Sequence, residues 1–102
     1  MTETTVCTLH INIPFDEWVN KFDKDEAPAR AEKNIKVLYR GVSKDNPHKA
    51  IVIAQAEEGV IDKHIQQNFY TFEKNGADMS TAVPSIWLKS NFLILSIIFV
   101  NY

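Results

Sequence analysis

Apolar and polar side chains alternate along the first strand-length segment, residues 4–13. In an extended chain successive side chains point to opposite faces, so Leu9 and Ile11 would share an apolar face. Val6 and His10 would share the other face, which is mixed in character. The alternation predicts a strand that packs its apolar face on the core.

The apolar spacing changes to three and four after Pro14, which suits the first turn of a helix. Four residues recur at this helical spacing: Phe15, Trp18, Val19 and Phe22. Pro28 opposes one continuous helix, because proline lacks the amide proton that the helix needs. We therefore expect an aromatic helix face packed on Leu9 and Ile11, a break near residues 25–28 and a second helical turn over residues 29–33.

Two apolar runs flank a short polar loop in LYRGVSKDNPHKAIVIAQ, residues 38–55. Asn46 and Pro47 supply typical turn chemistry within the loop. The pattern predicts a β-hairpin with strands at residues 35–43 and 50–56. The second strand contains AIVIA, which is apolar on both faces, as in a strand that is covered on both sides.

A second helical pattern follows Glu57 and Glu58. Its apolar stripe consists of Ile61, Ile65, Phe69 and Phe72. The pair Asn75 and Gly76 is a typical helix end. Residues 77–84 are predicted to form a loop, and residues 85–88 a short final strand.

The predicted order is strand, helix, strand, strand, helix, strand, which is typical of the α+β, ferredoxin-like βαββαβ fold. An antiparallel sheet then carries its helices on one face, and Tyr39 is predicted to point toward them. The residues predicted on the other, mixed face are Val6, His10, Leu38, Arg40 and Val42. That mixture is too apolar for water and too polar for a core, so we expect a two-fold homodimer formed through this face.

The length of 102 residues predicts a single domain, which we place at residues 1–90, with residues 91–102 as an apolar tail. The net charge of -2 lacks the basic character of a nucleic-acid-binding protein, so we expect no nucleic-acid partner. Cys7 is the only cysteine, which excludes an intrachain disulfide. No secretory signal is visible at the N-terminus, and a cytoplasmic protein is the expectation.

The sequence shows no pattern typical of a metal, cofactor or nucleophile site. The histidines His10, His48 and His64 lie on a predicted strand, loop and helix without metal-ligand spacing. Cys7 and His10 have an odd offset, which separates them on opposite strand faces, and Cys7 is expected to be a buried structural residue. No glycine-rich phosphate loop or Gly-x-Ser-x-Gly elbow occurs. We therefore predict no metal and no cofactor.

His10 and Arg40 are the catalytic candidates, because both are predicted on the mixed face of neighbouring strands. Histidine moves protons near neutral pH, and arginine can hold a carboxylate or phenolate. The favoured alternative is that both make polar contacts in a dimer interface, where arginine is enriched. The candidate ligand contacts are Val6, Leu38, Val42 and Trp87.

The tail contains FLILSIIFV, residues 92–100, which is too short to span a bilayer as a helix. Its β-branched and aromatic content favours a strand. An exposed strand of this kind invites aggregation, so we expect burial against the domain or a partner. An appended segment without a packed position is the alternative, and membrane contact is the minority interpretation.

Three segments, NIPFDEWVNKFD, LYRGVSKDNPHKAIVIAQAEEG and FEKNGADMSTAVPSIWL, resemble a family of small, mainly cyanobacterial proteins of unknown function. The resemblance covers the chain up to Leu88. It implies a dimeric α/β barrel, in which two ferredoxin-like sheets pack together, and it brings no established reaction. The wider superfamily includes cofactor-free monooxygenases, isomerases and haem-binding enzymes, which is an analogy of fold only.

Three hypotheses about function follow. The favoured one is a homodimeric α/β-barrel module that binds a small ligand or a protein without catalysis. The second is a cofactor-independent monooxygenase or isomerase that uses His10 and Arg40 on the mixed face. The third is a membrane-associated regulator that acts through residues 91–102.

Overall fold

The structure is a computed structural model that describes residues 1–88. Its strands are β1 (Thr2–Ile11), β2 (Lys36–Val42), β3 (Lys49–Glu57) and β4 (Ala77–Leu88). Its helices are α1 (Phe15–Lys24), α2 (Ala27–Glu32), α3 (Val60–Gln67) and α4 (Phe69–Lys74). The predictions for the tail, residues 91–102, and for the domain end at residue 90 fall outside the described residues.

The four strands form one antiparallel sheet in the order β2–β3–β1–β4. The helices cover one face, the helix side, which carries Leu9 and Ile11 of β1. We name the other face the open face. Its central residues, which pair across β1 and β3, are Thr4, Val6, Thr8, His10, Lys49, Ile51, Ile53 and Gln55. This arrangement confirms the predicted α+β, ferredoxin-like fold.

Helix α1 closes the core with two aromatic side chains. Trp18 and Phe22 are buried and cluster with Leu9 and Ile11 of β1. The two aromatic rings stack with their centroids 5.1 Å apart. The predicted aromatic helix face is confirmed, and burial of two large aromatic side chains makes this contact a major source of stability.

The predicted break in the first helical region is also confirmed. Helix α1 ends at Lys24, and α2 begins at Ala27 with Pro28 in its first turn. The amide of Glu26 donates to the carbonyl of Lys21 at 3.2 Å, rather than to the residue four positions earlier. The break thus leads into α2 through Glu26, which is buried.

The second helical region differs from the prediction because it is interrupted at Asn68. The backbone there has φ −111° and ψ 13°, and the Asn68 amide donates to the His64 carbonyl at 2.9 Å. Asparagine side chains compete in this way with regular helix bonding. Phe69 is consequently 43% exposed, so its predicted place in the apolar stripe is wrong, whereas Phe72 packs on the core.

Strand β4 is longer than predicted and includes the segment that was expected to be a loop. Its register with β1 shifts between Thr8 and His10, where the β4 residues 79–82 form a bulge. The hydroxyl of Thr81 accepts the His10 amide at 2.7 Å and replaces a ladder bond there. Pro84 is tolerated because β4 lies at the sheet edge. Bulge and proline together hide the alternation on which the prediction depended.

Strand β2 contains a bulge at Leu38. Val37 pairs with Ala54 and Tyr39 pairs with Ile53, so Leu38 and Tyr39 together oppose one residue of β3. An extra residue of this kind exchanges the faces of every side chain that follows it.

The predicted faces of Arg40, Val42 and Tyr39 are therefore wrong. Arg40 pairs with Val52 and Val42 with Ala50, both of which pack on the helix side. Arg40 forms an ion pair there with Asp23 of α1. Tyr39 lies instead on the open face, where its ring extends over Gly41.

Candidate ligand-binding cavity

A cavity of about 100 Å³ lies between the helix side of the sheet and the helices. The sheet contributes Leu9 and Ala54, and α1 contributes Trp18 and Phe22. Most of the lining side chains are apolar, as is typical of small-molecule sites. The cavity is smaller than an engineered cavity of about 150 Å³ that binds benzene, so it suits a compact organic group.

One of the small residues on the helix side of β3, Ala54, lines this cavity. Ala50, Ala54 and Ala56 are all buried beneath the helices, and alternate along the strand with residues of the open face. Alanine fills little of the distance between a sheet and a helix layer. The apolar character of β3, which the sequence predicted, therefore includes a small side chain at Ala54 that leaves room between the sheet and the helices.

Arg30 of α2 is a buried cation in the lining. Its guanidinium lies 4.0 Å from the centre of the Phe22 ring, and its Nη2 donates to the Phe22 carbonyl at 2.8 Å. Its Nη1 is buried without a hydrogen-bond partner among the described residues. Burial lowers the pKa of Arg30, and the nearby Glu26 opposes that shift.

Glu26, at the junction of α1 and α2, is the acidic member of the lining. Its Oε2 accepts a hydrogen bond from Asn75 Nδ2 at 2.9 Å. Burial raises the pKa of the Glu26 carboxyl, against the smaller opposing effects of the Asn75 bond and of the Arg30 charge. The protonated form of Glu26 is thus easier to reach than that of an ordinary surface glutamate.

His64 of α3 brings the third polar group to the cavity. It is 4% exposed, its ring tilts against Phe72, and its Nε2 is buried without a partner within residues 1–88. Burial, followed by the charges of Lys33 and Arg30, lowers the pKa of His64 to about 4. The imidazole is therefore neutral at physiological pH.

Cys7 also lines the cavity, from the helix side of β1. The side chain is partly buried, and burial raises the pKa of its thiol. A thiol needs a lowered pKa or an adjacent base to act as a nucleophile. The arrangement fits the structural role that the sequence predicted for Cys7.

The predicted catalytic pair is not brought together. His10 lies on the open face, where its ring stacks on His48 with centroids 5.5 Å apart. Arg40 lies on the helix side and pairs with Asp23 of α1. Their strands are not the neighbours that had been predicted, because β3 lies between β1 and β2. The sheet also separates the two side chains, so they cannot act on one ligand from one face.

The four predicted ligand contacts do not all lie on the same face of the sheet. Val6 faces the open side opposite Ile53, and Trp87 faces it opposite Thr4. Leu38 lies in the β2 bulge, and Val42 faces the helix side. Val6 and Trp87 thus stay candidates for contacts across the open face, whereas Val42 does not.

Three cavity residues, Glu26, Arg30 and His64, were missed as site candidates. The sequence nevertheless carries a signal for them, because Glu26 lies four residues after Phe22 and Arg30 four residues after Glu26. His64 lies three residues after Ile61. Each polar residue therefore continues an apolar helical stripe, and a polar residue in such a stripe is a candidate for a functional position.

Metal sites and membrane-spanning helices are both absent from the described part of the chain. Within residues 1–88, no three His, Cys, Asp or Glu side chains lie close enough together to hold a metal ion. No helix described there has the length and apolar character needed to cross a membrane.

Comparison with protein families assigns nearly the whole chain. The model of a domain of unknown function, DUF3764, matches residues 2–89. The chain belongs to the DUF3764 family. A comparison with curated proteins finds no match. The resemblance to a family of unknown function is thus confirmed for this DUF3764 domain, and its cyanobacterial origin stays an expectation.

The DUF3764 domain is similar in structure to proteins of the same fold. SnoaB, a cofactor-independent oxygenase from Streptomyces nogalater, has a TM-score of 0.60 and 13% identity, over 90% of this chain and 96% of SnoaB. A NIPSNAP family protein from Agrobacterium tumefaciens has a TM-score of 0.61 and 12% identity, with the same two coverages. A conserved protein from Methanosarcina mazei has a TM-score of 0.51 and 16% identity, over 88% of this chain and 94% of that one. These likenesses establish the fold.

Proposed function

We propose that this DUF3764 domain binds a small organic ligand in the cavity between sheet and helices, and that it pairs with a second copy through the open face. The observation that supports ligand binding is an apolar cavity lined in part by Arg30 and His64, which carry buried polar atoms, Nη1 and Nε2, without a partner among residues 1–88. Surface grooves rarely combine an apolar wall with unpaired buried donors or acceptors.

The energetic cost of the cavity and of its buried polar atoms supports the same proposal. A buried polar atom without a partner costs about 1–3 kcal/mol. A cavity in a core costs about 24 cal/mol per Å³, or roughly 2 kcal/mol for this volume. These penalties are large against the usual stability of a domain of this size, and a bound ligand would relieve both.

The proposed pairing rests on the apolar content of the open face. Ile51 and Ile53 of β3 lie beside Val6 of β1, and the surrounding Tyr39 and Trp87 are largely exposed. Two sheets pack face to face at about 10 Å with interdigitated side chains. A second copy is the simplest partner, because a two-fold contact sets one patch against the same patch.

Ligand binding is tested by thermal shift on the full chain with small probes: isobutyrate, isobutyramide, isobutylamine and benzene. At least one is expected to raise the melting temperature, since a ligand that binds only the folded state stabilises it. Ala54→Leu should fill the cavity and abolish that shift. If no probe shifts wild type, the binding proposal is wrong.

Ala56→Leu is the matched control for the cavity variant. Ala56 is buried on the same strand and the same side but does not line the cavity. Ala56→Leu should therefore overpack the core and destabilise by about 1–3 kcal/mol. Ala54→Leu should be better tolerated, and equal losses in the two variants would contradict the presence of usable space at Ala54.

A second candidate function is cofactor-independent oxygenation or isomerisation inside the same cavity. SnoaB is a cofactor-independent oxygenase of this fold. The observation that favours it is Glu26, a buried carboxyl of raised pKa that could exchange a proton with a bound molecule. The test is consumption of dissolved oxygen, or isomerisation, on addition of any probe that binds. Turnover in wild type that Glu26→Gln abolishes supports catalysis. If wild type shows no turnover, only the binding function remains.

A further inference from the structure

The hydrogen bonds around His64 determine which ring nitrogen carries its proton. Lys33 Nζ lies 3.0 Å from His64 Nδ1, and an ammonium can only donate. Asn68 Nδ2 lies 3.1 Å from the same nitrogen, and its 2.9 Å bond to the His64 carbonyl identifies it as the amide donor. His64 Nδ1 therefore accepts, and in the neutral ring the proton must lie on Nε2.

Both unpartnered atoms in the lining are consequently donors. His64 Nε2 carries a hydrogen, and Arg30 Nη1 belongs to a guanidinium, which has no acceptor. Both are at least nine-tenths buried, and neither finds an acceptor within residues 1–88. The group that these two donors favour is thus an oxygen acceptor, preferably one with negative charge because Arg30 is a cation.

We propose that the cavity selects small branched carboxylates, whose oxygens accept hydrogen bonds from His64 Nε2 and Arg30 Nη1 while the alkyl part contacts Trp18 and Phe22. This inference rests on the proposed binding function and names the chemical class of its ligand. The volume limits the alkyl part to a few carbon atoms.

Glu26 is the acidic residue that lines the same cavity as these two donors. An ionised Glu26 would repel a carboxylate, and the raised pKa of Glu26 reduces that repulsion by favouring the protonated form. Asp23, which also affects Arg30, is already paired with Arg40. Glu26→Gln should therefore bind a carboxylate at least as tightly as wild type does.

The test compares three probes of nearly equal shape at constant ionic strength: isobutyrate, isobutyramide and isobutylamine. Isobutyrate should bind at least tenfold more tightly than the neutral amide, and the ammonium should bind weakest. In wild type, the His64 ring nitrogens observed by NMR should report the Nε2–H tautomer, with Nε2 shifting on addition of isobutyrate. This measurement needs no variant and so does not depend on a mutant's ability to fold.

His64→Phe keeps the ring shape and removes the donor, so it should reduce the preference for isobutyrate over isobutyramide. Equal binding of all three probes, with each lost in Ala54→Leu, would overturn the carboxylate proposal and leave the binding function standing. Absence of binding by all probes would instead overturn both. An Nδ1–H tautomer in the free protein would contradict the donor assignment directly.

Discussion

The two faces of the sheet place apolar side chains under different physical conditions. On the helix side, Trp18 is 3% exposed and lies in a layer where Glu26, Arg30 and His64 interrupt the apolar contacts. On the open face, Trp87 is 62% exposed, although it is the same residue type. Under the proposed function, the helix side encloses a small ligand, whereas the open face provides the area that a second copy covers.

Exchange of each tryptophan for alanine should give the largest contrast between the faces. Trp18→Ala should lower the free energy of unfolding by about 3–5 kcal/mol, because it removes a buried aromatic side chain from the core. Trp87→Ala should act chiefly on assembly, so its effect should depend on protein concentration. Urea unfolding at several concentrations separates the two, and a mild Trp18→Ala variant would show that α1 does not close the core.

A charge placed on each face should give the next largest contrast. Ile53→Glu would bury an unpaired carboxylate in the proposed interface and raise the dimer dissociation constant roughly 100-fold, or about 3 kcal/mol. Val42→Glu places the same charge on the helix side of β2 and should leave assembly nearly unchanged. Light scattering at micromolar concentration measures both, and a monomeric wild type would rule out the proposed pairing.

Acidification should lower the free energy of unfolding through His64 on the helix side. Its pKa is lowered to about 4 from an ordinary 6.5, so below about pH 6.5 the unfolded chain takes up a proton that the folded chain refuses. Stability should fall between these values, by about 2 kcal/mol from pH 7 to pH 4.5. Glu26 acts in the opposite direction, because its pKa is raised on folding.

His64→Gln isolates the histidine contribution, because Glu26 is common to both proteins. The difference in unfolding free energy between wild type and variant should narrow or reverse in favour of the variant on acidification. A difference that is independent of pH would mean that His64 titrates normally in the folded state.

The smallest effect is expected from the ion pair at the edge of the helix side. Arg40→Met should raise the pKa of Asp23 from its lowered value toward the ordinary 3.8, because the Arg40 hydrogen bond is the main cause of that lowering. The pair supports folding above that range and loses its effect as acid protonates Asp23. Carboxyl NMR titration measures the pKa of Asp23 in both proteins. An unchanged pKa in Arg40→Met would show that Arg40 does not pair with Asp23.

The fold was predictable because most segments carry one clear period. Alternation in β1 and the helical spacing of Trp18 and Phe22 each identify an element and the face that it buries. The full length of strand β4 was not predicted, because its bulge and Pro84 break the alternation. At the bulge, the His10 amide donates to the Thr81 side chain in place of a backbone carbonyl of β4. Periodicity describes regular backbone and cannot locate its interruptions.

The candidate site was less predictable because its parts converge from separate elements. Glu26 and Arg30 come from the α1–α2 region, and His64 comes from α3, more than thirty residues later. Spacing along one element relates side chains that share a face, but it does not relate side chains on different helices. The predicted pair of His10 and Arg40 failed for two reasons: β3 lies between their strands, and the bulge in β2 turns Arg40 to the other face of the sheet.

The bulge at Leu38 also has a consequence for the evolution of this domain. Loss of one residue from β2 at this point would exchange the environments of Tyr39, Arg40 and Val42 without altering any of them. A DUF3764 sequence with a one-residue deletion there should therefore show inverted polarity at the positions that follow. An alignment that places such a gap elsewhere would compare open-face positions with helix-side positions, because the deletion changes which face each later residue occupies.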